Sequence, residues 1–147
     1  NGTLRFTCGT VRGYSPKDAV YCTPITTVEG ILEKNTGLDP FDAPRSLIEL
    51  CREKEFGKFS HPKLNSVPVA LLYDADTTGG NSGSPVLNAR GEIVGVNFDR
   101  AWEATINDYA WSSSYSRSIG VDVRYLLWLL QKMERADHLL EEMGIER

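Results

Sequence analysis

The chain has 147 residues, 41% hydrophobic and 24% charged, a composition that supports a globular fold with its own core and excludes a disordered chain. Its net charge of -4 argues against nucleic acid as a partner, because such binding depends on clustered Lys and Arg. No apolar stretch approaches the roughly 20 residues of a membrane-spanning helix, so we expect no membrane span.

The first part of the chain predicts β-strands followed by one short helix. Runs rich in β-branched and aromatic residues indicate strands over residues 4–7, 20–21 and 25–28, with a turn-rich stretch at 13–17. Asp42 is a plausible N-cap, and the apolar residues after it keep helical spacing until Gly57.

The remainder predicts further strands and a C-terminal helix. Residues 66–73 read as a strand, and residues 85–88 and 93–98 as a hairpin over a tight turn. From Val121 onward, apolar residues recur every three or four positions on one face: Leu126, Leu127, Leu130, Met133, Ala136, Leu140 and Met143. We therefore expect a mostly β fold, a β-barrel closed by a terminal helix.

The loop at residues 76–85, Asp-Thr-Thr-Gly-Gly-Asn-Ser-Gly-Ser-Pro, is the sharpest chemical signal. Its small residues let a substrate backbone approach closely. A serine nucleophile needs nearby N–H groups aimed at the oxygen that becomes negative during acyl transfer, and Gly80 and Ser82 are spaced to supply them. The alternative is an ordinary Gly/Asn/Ser turn between strands.

Residues 80–85, Gly-Asn-Ser-Gly-Ser-Pro, resemble the Gly-Asp-Ser-Gly-Gly-Pro nucleophile loop of chymotrypsin-like peptidases. Asn replaces Asp and Ser replaces the later Gly, so Ser82 takes the place of the nucleophile. Residues 78–88, with Gly95, Phe98-Asp99, Trp102-Glu103 and the run 119–125, are similar to the dipeptidyl-peptidase 7 and 11 family of serine exopeptidases. The resemblance extends over nearly the whole chain.

The resemblance implies a double-barrel peptidase with an added helical domain. Residues 1–147 would be its C-terminal catalytic half-domain: the second barrel, one short helix and the C-terminal helix. The His and Asp of the triad belong to the first barrel, so we expect the isolated chain to be nearly inactive. His61, in a polar connection, and His138, near the end of the last helix, read as surface histidines.

Substrate selection is expected at the strand that follows the nucleophile hairpin, residues 95–100. By resemblance, Asp99 would hold the free amino group of the peptide, and Arg100 would select Asp or Glu at the second residue. A plain turn Asp and a solvated surface Arg are the alternatives. Further substrate-binding candidates are Asn97, Phe98, Thr78 and Gly79, with Thr77 as a weaker one.

Two other functions fit the same residues. A chymotrypsin-like endopeptidase would need no anchor for a free amine, and a non-catalytic interaction module would use the glycine loop as a turn. No metal cluster or phosphate-binding loop is recognisable, and Cys8, Cys22 and Cys51 are spaced too irregularly for zinc, so we expect no cofactor. The resemblance implies an oligopeptide substrate, contacts with the N-terminal half of the parent enzyme, a homodimer and a periplasmic location.

Overall fold

A computed structural model describes residues 4–145, which contain two β-sheets, four α-helices and two short 3₁₀ helices. The strands are β1 Tyr14–Lys17, β2 Val20–Cys22, β3 Ile25–Thr27, β4 Pro68–Tyr73, β5 Pro85–Leu87, β6 Ile93–Arg100 and β7 Ser118–Asp122. The helices are α1 Val28–Lys34, α2 Arg45–Glu53, α3 Val123–Lys132 and α4 Asp137–Glu142, with 3₁₀ turns at Gly57–Phe59 and Trp102–Asp108. The expected mostly β fold with a few helices is confirmed; closure into a barrel stays a prediction.

The chain divides into two compact units. Residues 4–25 together with 70–121 form the strand unit, and residues 26–69 together with 122–145 form the helical unit. Within residues 4–145, none of the helices has both the length and the apolar content that crossing a bilayer requires. All three cysteines carry free thiols, and Cys8 is exposed.

The strand unit holds most of a five-stranded sheet with the order β3-β4-β7-β6-β5, beside a separate β1–β2 hairpin. Antiparallel pairing places Tyr73 opposite Ser118, and Pro85 opposite Val96. Gly95 is required in β6, because a Cβ there would lie 2.6 Å from the carbonyl oxygen of Val121. The predicted hairpin of residues 85–88 and 93–98 is confirmed, with its second strand extended to Arg100.

The helical unit is organised around a compact apolar core. Trp128 in α3 is fully buried, and its indole N–H donates to the carbonyl of Glu55 at 3.2 Å. The α3 helix is capped by Asp122, whose carboxylate accepts the backbone N–H of Arg124 at 2.9 Å. The other buried members of this core are Val28, Leu47, Leu50, Cys51, Phe56, Phe59 and Val67.

Several predicted element boundaries were wrong. Residues 4–7 form no strand, and Leu4 and Phe6 are 97% and 86% exposed, so this apolar run lacks the burial that would stabilise one. Val28 begins α1 instead of ending a strand; it is buried, and its N–H donates to Val67 O. Pro44, not Asp42, occupies the N-cap position of α2, and none of the described side chains caps this helix, which ends at Glu53.

The predicted C-terminal helix is two helices. It was expected to run from Val121, but Val121 belongs to β7 and α3 begins two residues later. The helix stops at Lys132, and Arg135 then adopts a φ of 55°, a left-handed conformation that cannot continue an α-helix. His138 consequently lies in the first turn of α4, not near the end of the last helix.

Candidate active site

The loop that carries Ser82 is built from two successive β-turns. Asn81 N donates to Thr78 O at 3.2 Å, and Ser84 N donates to Asn81 O at 3.1 Å. The third position of each turn needs a positive φ, and the glycines there, Gly80 and Gly83, have φ of +94° and +86°. Ser82 therefore stands at the second position of the second turn, where its side chain is exposed.

Asn97 in β6 stabilises this loop through backbone and side-chain hydrogen bonds. Its backbone carbonyl accepts Gly83 N at 2.8 Å, and its backbone N–H donates to Ser84 O at 2.9 Å. Its buried side chain donates to Asn81 O at 3.2 Å and accepts a hydrogen bond from the hydroxyl of Tyr73. Asn97, predicted as a substrate-binding residue, thus supports the nucleophile loop directly.

The hydroxyl of Ser82 and the backbone N–H groups of Gly80 and Ser82 are the groups of this loop that could act on a substrate. Ser82 Oγ donates to the carbonyl oxygen of Phe98 at 3.0 Å. Within the described residues, the backbone N–H groups of Gly80 and Ser82 donate no hydrogen bond to the protein. They are therefore available as donors to a substrate oxygen that acquires negative charge.

The burial of Tyr73 gives the protein a pH dependence in alkaline solution. Burial raises the pKa of Tyr73 to about 12. Because the unfolded phenol ionises near pH 10, this contribution to stability is complete below about pH 10 and is lost as pH rises to about 12, on the order of 2–3 kcal/mol. We expect Tyr73→Phe to make the free energy of unfolding fall less steeply over that interval.

Urea unfolding at several alkaline pH values measures this effect. Tyr109→Phe is the matched control, since Tyr109 is 93% exposed. Identical pH slopes for Tyr73→Phe and the unmodified chain would contradict the assignment.

Asp99 and Arg100 lie at the end of β6, beyond the carbonyl that Ser82 contacts. Asp99 is exposed, and its carboxylate accepts the backbone N–H of Arg100 at 2.8 Å. The guanidinium of Arg100 donates to both carboxylate oxygens of Asp108, from Nη1 at 2.9 Å and from Nη2 at 3.2 Å. Its side chain is only 20% exposed, so Arg100 is not the freely solvated surface residue that was the alternative.

Asp108 is a site residue that sequence reasoning missed. It lies eight positions after Arg100, at the end of the 3₁₀ helix Trp102–Asp108, whereas Arg100 ends β6. Because no single helix or strand contains both residues, sequence periodicity could not pair them. The hydrogen bond from Arg100 holds the pKa of Asp108 below its usual range, so the carboxylate is charged at neutral pH.

The remaining predicted site residues lie in or next to the loop and differ in their exposure to solvent. Phe98 is 47% exposed, Thr78 belongs to the first turn, and Gly79 has open space where a side chain would extend. Thr77 is buried, and its hydroxyl lies 2.6 Å from Ser118 Oγ. Thr77 therefore packs in the interior and is not exposed to a ligand.

No histidine is present in the strand unit, which carries Ser82. His61 and His138 both belong to the helical unit. His61 Nδ1 accepts the backbone N–H of Lys63 at 3.2 Å within a turn. Among residues 4–145, no three His, Cys, Asp or Glu side chains group so that they could hold a metal ion.

Comparison with known proteins identifies close relatives. The sequence profile described as Peptidase S46 matches residues 1–145. An Asp/Glu-specific dipeptidyl-peptidase of Shewanella putrefaciens is 40% identical over 100% of this chain, and one of Porphyromonas gingivalis is 45% identical over 99%. A dipeptidyl-peptidase 7 of Phocaeicola vulgatus is 41% identical over 99% of the chain.

A solved structure matches equally well. The chain superimposes on Porphyromonas endodontalis DPP11 in complex with the dipeptide Arg-Asp with a TM-score of 0.94, at 39% identity over 98% of this chain. The match covers 21% of that DPP11 chain, and the three curated relatives are covered over 23%, 20% and 20% of their lengths. The chain thus spans about a fifth of the length of these proteins.

Proposed function

Because the chain belongs to the peptidase S46 family, we propose that it is the nucleophile-bearing segment of a longer serine dipeptidyl-peptidase, called the longer enzyme below. The observation that carries the proposal is the exposed hydroxyl of Ser82, held on a double turn beside two unengaged amides. The proposed substrate is an oligopeptide with a free N-terminus and Asp or Glu at its second residue. Two relatives, at 40% and 45% identity, are named Asp/Glu-specific dipeptidyl-peptidases, and this specificity supports the choice.

In the proposed reaction, Ser82 Oγ attacks the carbonyl carbon of the second substrate residue. A base takes the hydroxyl proton, the carbonyl oxygen becomes negative, and the amides of Gly80 and Ser82 stabilise that charge. Collapse releases the remaining peptide as an amine, which takes up the proton, and leaves the dipeptide esterified to Ser82. Water then hydrolyses this acyl-enzyme and frees the dipeptide.

The proposed base and the group that orients it are a His and an Asp outside this chain. The strand unit lacks histidine, and Ser82 Oγ donates to Phe98 O, a backbone acceptor that cannot remove its proton. Both partners are therefore assigned to the longer enzyme. Its homodimeric state and periplasmic location stay predictions.

The proposed dipeptide register depends on Asp99. A carboxylate at the strand end can pair with the substrate ammonium group, which limits binding to peptides that have exactly two residues before the cleaved bond. Asp99 is exposed, as this role requires. Thr78, Gly79 and Phe98 would contact the same dipeptide.

Blocking the substrate N-terminus tests the exopeptidase activity. The longer enzyme should release dipeptides from free peptides and leave N-acetylated versions of the same sequences intact. Asp99→Asn should reduce this discrimination, because the neutral amide no longer pairs with an ammonium ion. Equal cleavage of free and acetylated peptides would indicate an endopeptidase.

We expect Arg100→Gly in the longer enzyme to lower kcat/KM for peptides with Asp or Glu at the second residue by roughly 10²-fold. The reason is the loss of a charge-assisted pair with an arginine whose side chain is 20% exposed, worth about 2–5 kcal/mol. Peptides with a hydrophobic second residue should be hydrolysed at least as well as before.

Competition assays with paired acidic and hydrophobic dipeptide substrates measure the change. Arg90→Gly is the matched control, because Arg90 lies in the β5–β6 turn and its side chain is 77% exposed. An unchanged ratio of kcat/KM values in Arg100→Gly would exclude Arg100 as the specificity residue.

A further inference from the structure

The guanidinium of Arg100 already has a carboxylate partner in the chain. Asp108 accepts from Nη1 and from Nη2, the parallel geometry in which an Arg binds one carboxylate through two donors. The side chains are 20% and 47% exposed, so this pair is not fully screened by water. A substrate carboxylate that reaches Arg100 must therefore either displace Asp108 or bind beside it.

The segment that carries Asp108 is firmly held. In the 3₁₀ helix Trp102–Asp108, Glu103 accepts the hydroxyl of Tyr14 at 2.6 Å, and Asn107 accepts the hydroxyl of Ser116 at 2.6 Å. Asn107 is buried, immediately before Asp108. These contacts fix the backbone next to Asp108 and so keep its carboxylate within reach of Arg100.

Arg100 keeps enough donors for a second carboxylate. A guanidinium has five N–H groups, and the contact with Asp108 uses one on Nη1 and one on Nη2. The Nε–H and the other N–H of Nη2 form a second parallel edge. In the described part of the chain, Nε of Arg100 donates to no acceptor.

We propose that Asp108 is a positioning residue for acidic substrates. Asp108 binds the Nη1/Nη2 edge of Arg100, which leaves the Nε/Nη2 edge facing the side-chain carboxylate of the second substrate residue. The inference rests on the proposed dipeptidyl-peptidase function and extends it by one residue. Asp108 does not touch the reacting atoms. It acts by holding the Arg100 side chain, which has several rotatable bonds, in one orientation before the substrate binds. Less conformational entropy is then lost on binding.

The test uses the longer enzyme with Asp108→Ala, Asp108→Asn and Asp108→Glu. For each variant, kcat and KM are measured on two peptides that differ only in Glu or Leu at the second residue. We expect Asp108→Ala to lower kcat/KM for the Glu peptide roughly 10-fold, mainly through KM, and to leave the Leu peptide within about 2-fold. Asp108→Asn should lie between, and Asp108→Glu should recover most of the loss because it restores a carboxylate.

Glu92→Gln is the matched control. Glu92 also binds an arginine, Arg90, but in the exposed turn between β5 and β6. Both peptides should be hydrolysed normally by this variant. Thermal melting of every variant identifies any that fail to fold, and Asp108→Asn, which keeps the shape of the side chain, remains informative if Asp108→Ala does not fold.

Three outcomes would overturn the inference. A gain in kcat/KM for the Glu peptide in Asp108→Ala would mean that Asp108 competes with substrate for Arg100. Equal losses on both peptides would mean that Asp108 only stabilises the fold, and no change would mean that Arg100 needs no partner. The proposed function is tested separately by Ser82→Ala and Arg100→Gly: if those variants behave as expected, only the role of Asp108 has failed.

Discussion

Replacing Ser82 by alanine in the longer enzyme is expected to reduce kcat for dipeptide release by a factor on the order of 10⁶. The variant keeps the double turn, because Gly80, Gly83 and the backbone hydrogen bonds to Asn97 are unchanged. It removes the proposed nucleophilic oxygen, and loss of a serine nucleophile typically has an effect of this size. KM should change little, since the substrate contacts proposed for Asp99 and Arg100 are retained.

Ser84→Ala is the control for this prediction. Ser84 lies two residues further along the same loop, and its backbone, not its hydroxyl, makes the hydrogen bonds to Asn81 and Asn97. Its substitution should leave kcat within a few-fold of the parent value. Residual activity above about one hundredth of the parent in Ser82→Ala would show that another group is the nucleophile.

The isolated 147-residue chain is expected to release dipeptides at least about 10⁴-fold more slowly than the longer enzyme. A serine hydroxyl is a weak nucleophile unless a base removes its proton, and among the described residues Ser82 donates to a backbone carbonyl, that of Phe98. The strand unit offers no histidine for the task. In serine peptidases, removal of the triad base lowers kcat by at least a factor of this order.

Steady-state assays of the two purified proteins at equal concentration measure the difference. Circular dichroism and thermal melting first establish that the isolated chain is folded. Rapid dipeptide release by a folded, pure chain would contradict the assignment of the base to another part of the polypeptide.

The nucleophile loop could be predicted from sequence because its conformation is set locally. Gly80 and Gly83 supply the positive φ that each turn requires, and the turn hydrogen bonds join residues only three positions apart. The hairpin after the loop was predictable for the same reason. Local rules of this kind place Ser82 on the exposed second position without knowledge of the rest of the fold.

Features that depend on contacts distant in sequence could not be predicted. Helix α1 has only seven residues with Gly30 among them, too short to produce a periodic signal, and it is fixed by burial of Val28. The supporting role of Asn97 depends on Tyr73, which is 24 residues away. The pairing of Arg100 with Asp108 likewise depends on how the 3₁₀ helix folds back.

Covalent labelling with a fluorophosphonate followed by tryptic peptide mapping tests the central claim most directly. Cleavage after Lys63 and Arg90 yields one peptide, residues 64–90, with three serines: Ser66, Ser82 and Ser84. For the longer enzyme, we expect one adduct, located by fragmentation on Ser82 and lost in Ser82→Ala. An active preparation with its adduct on another residue, or with no adduct at all, would contradict the assignment of Ser82 as the nucleophile.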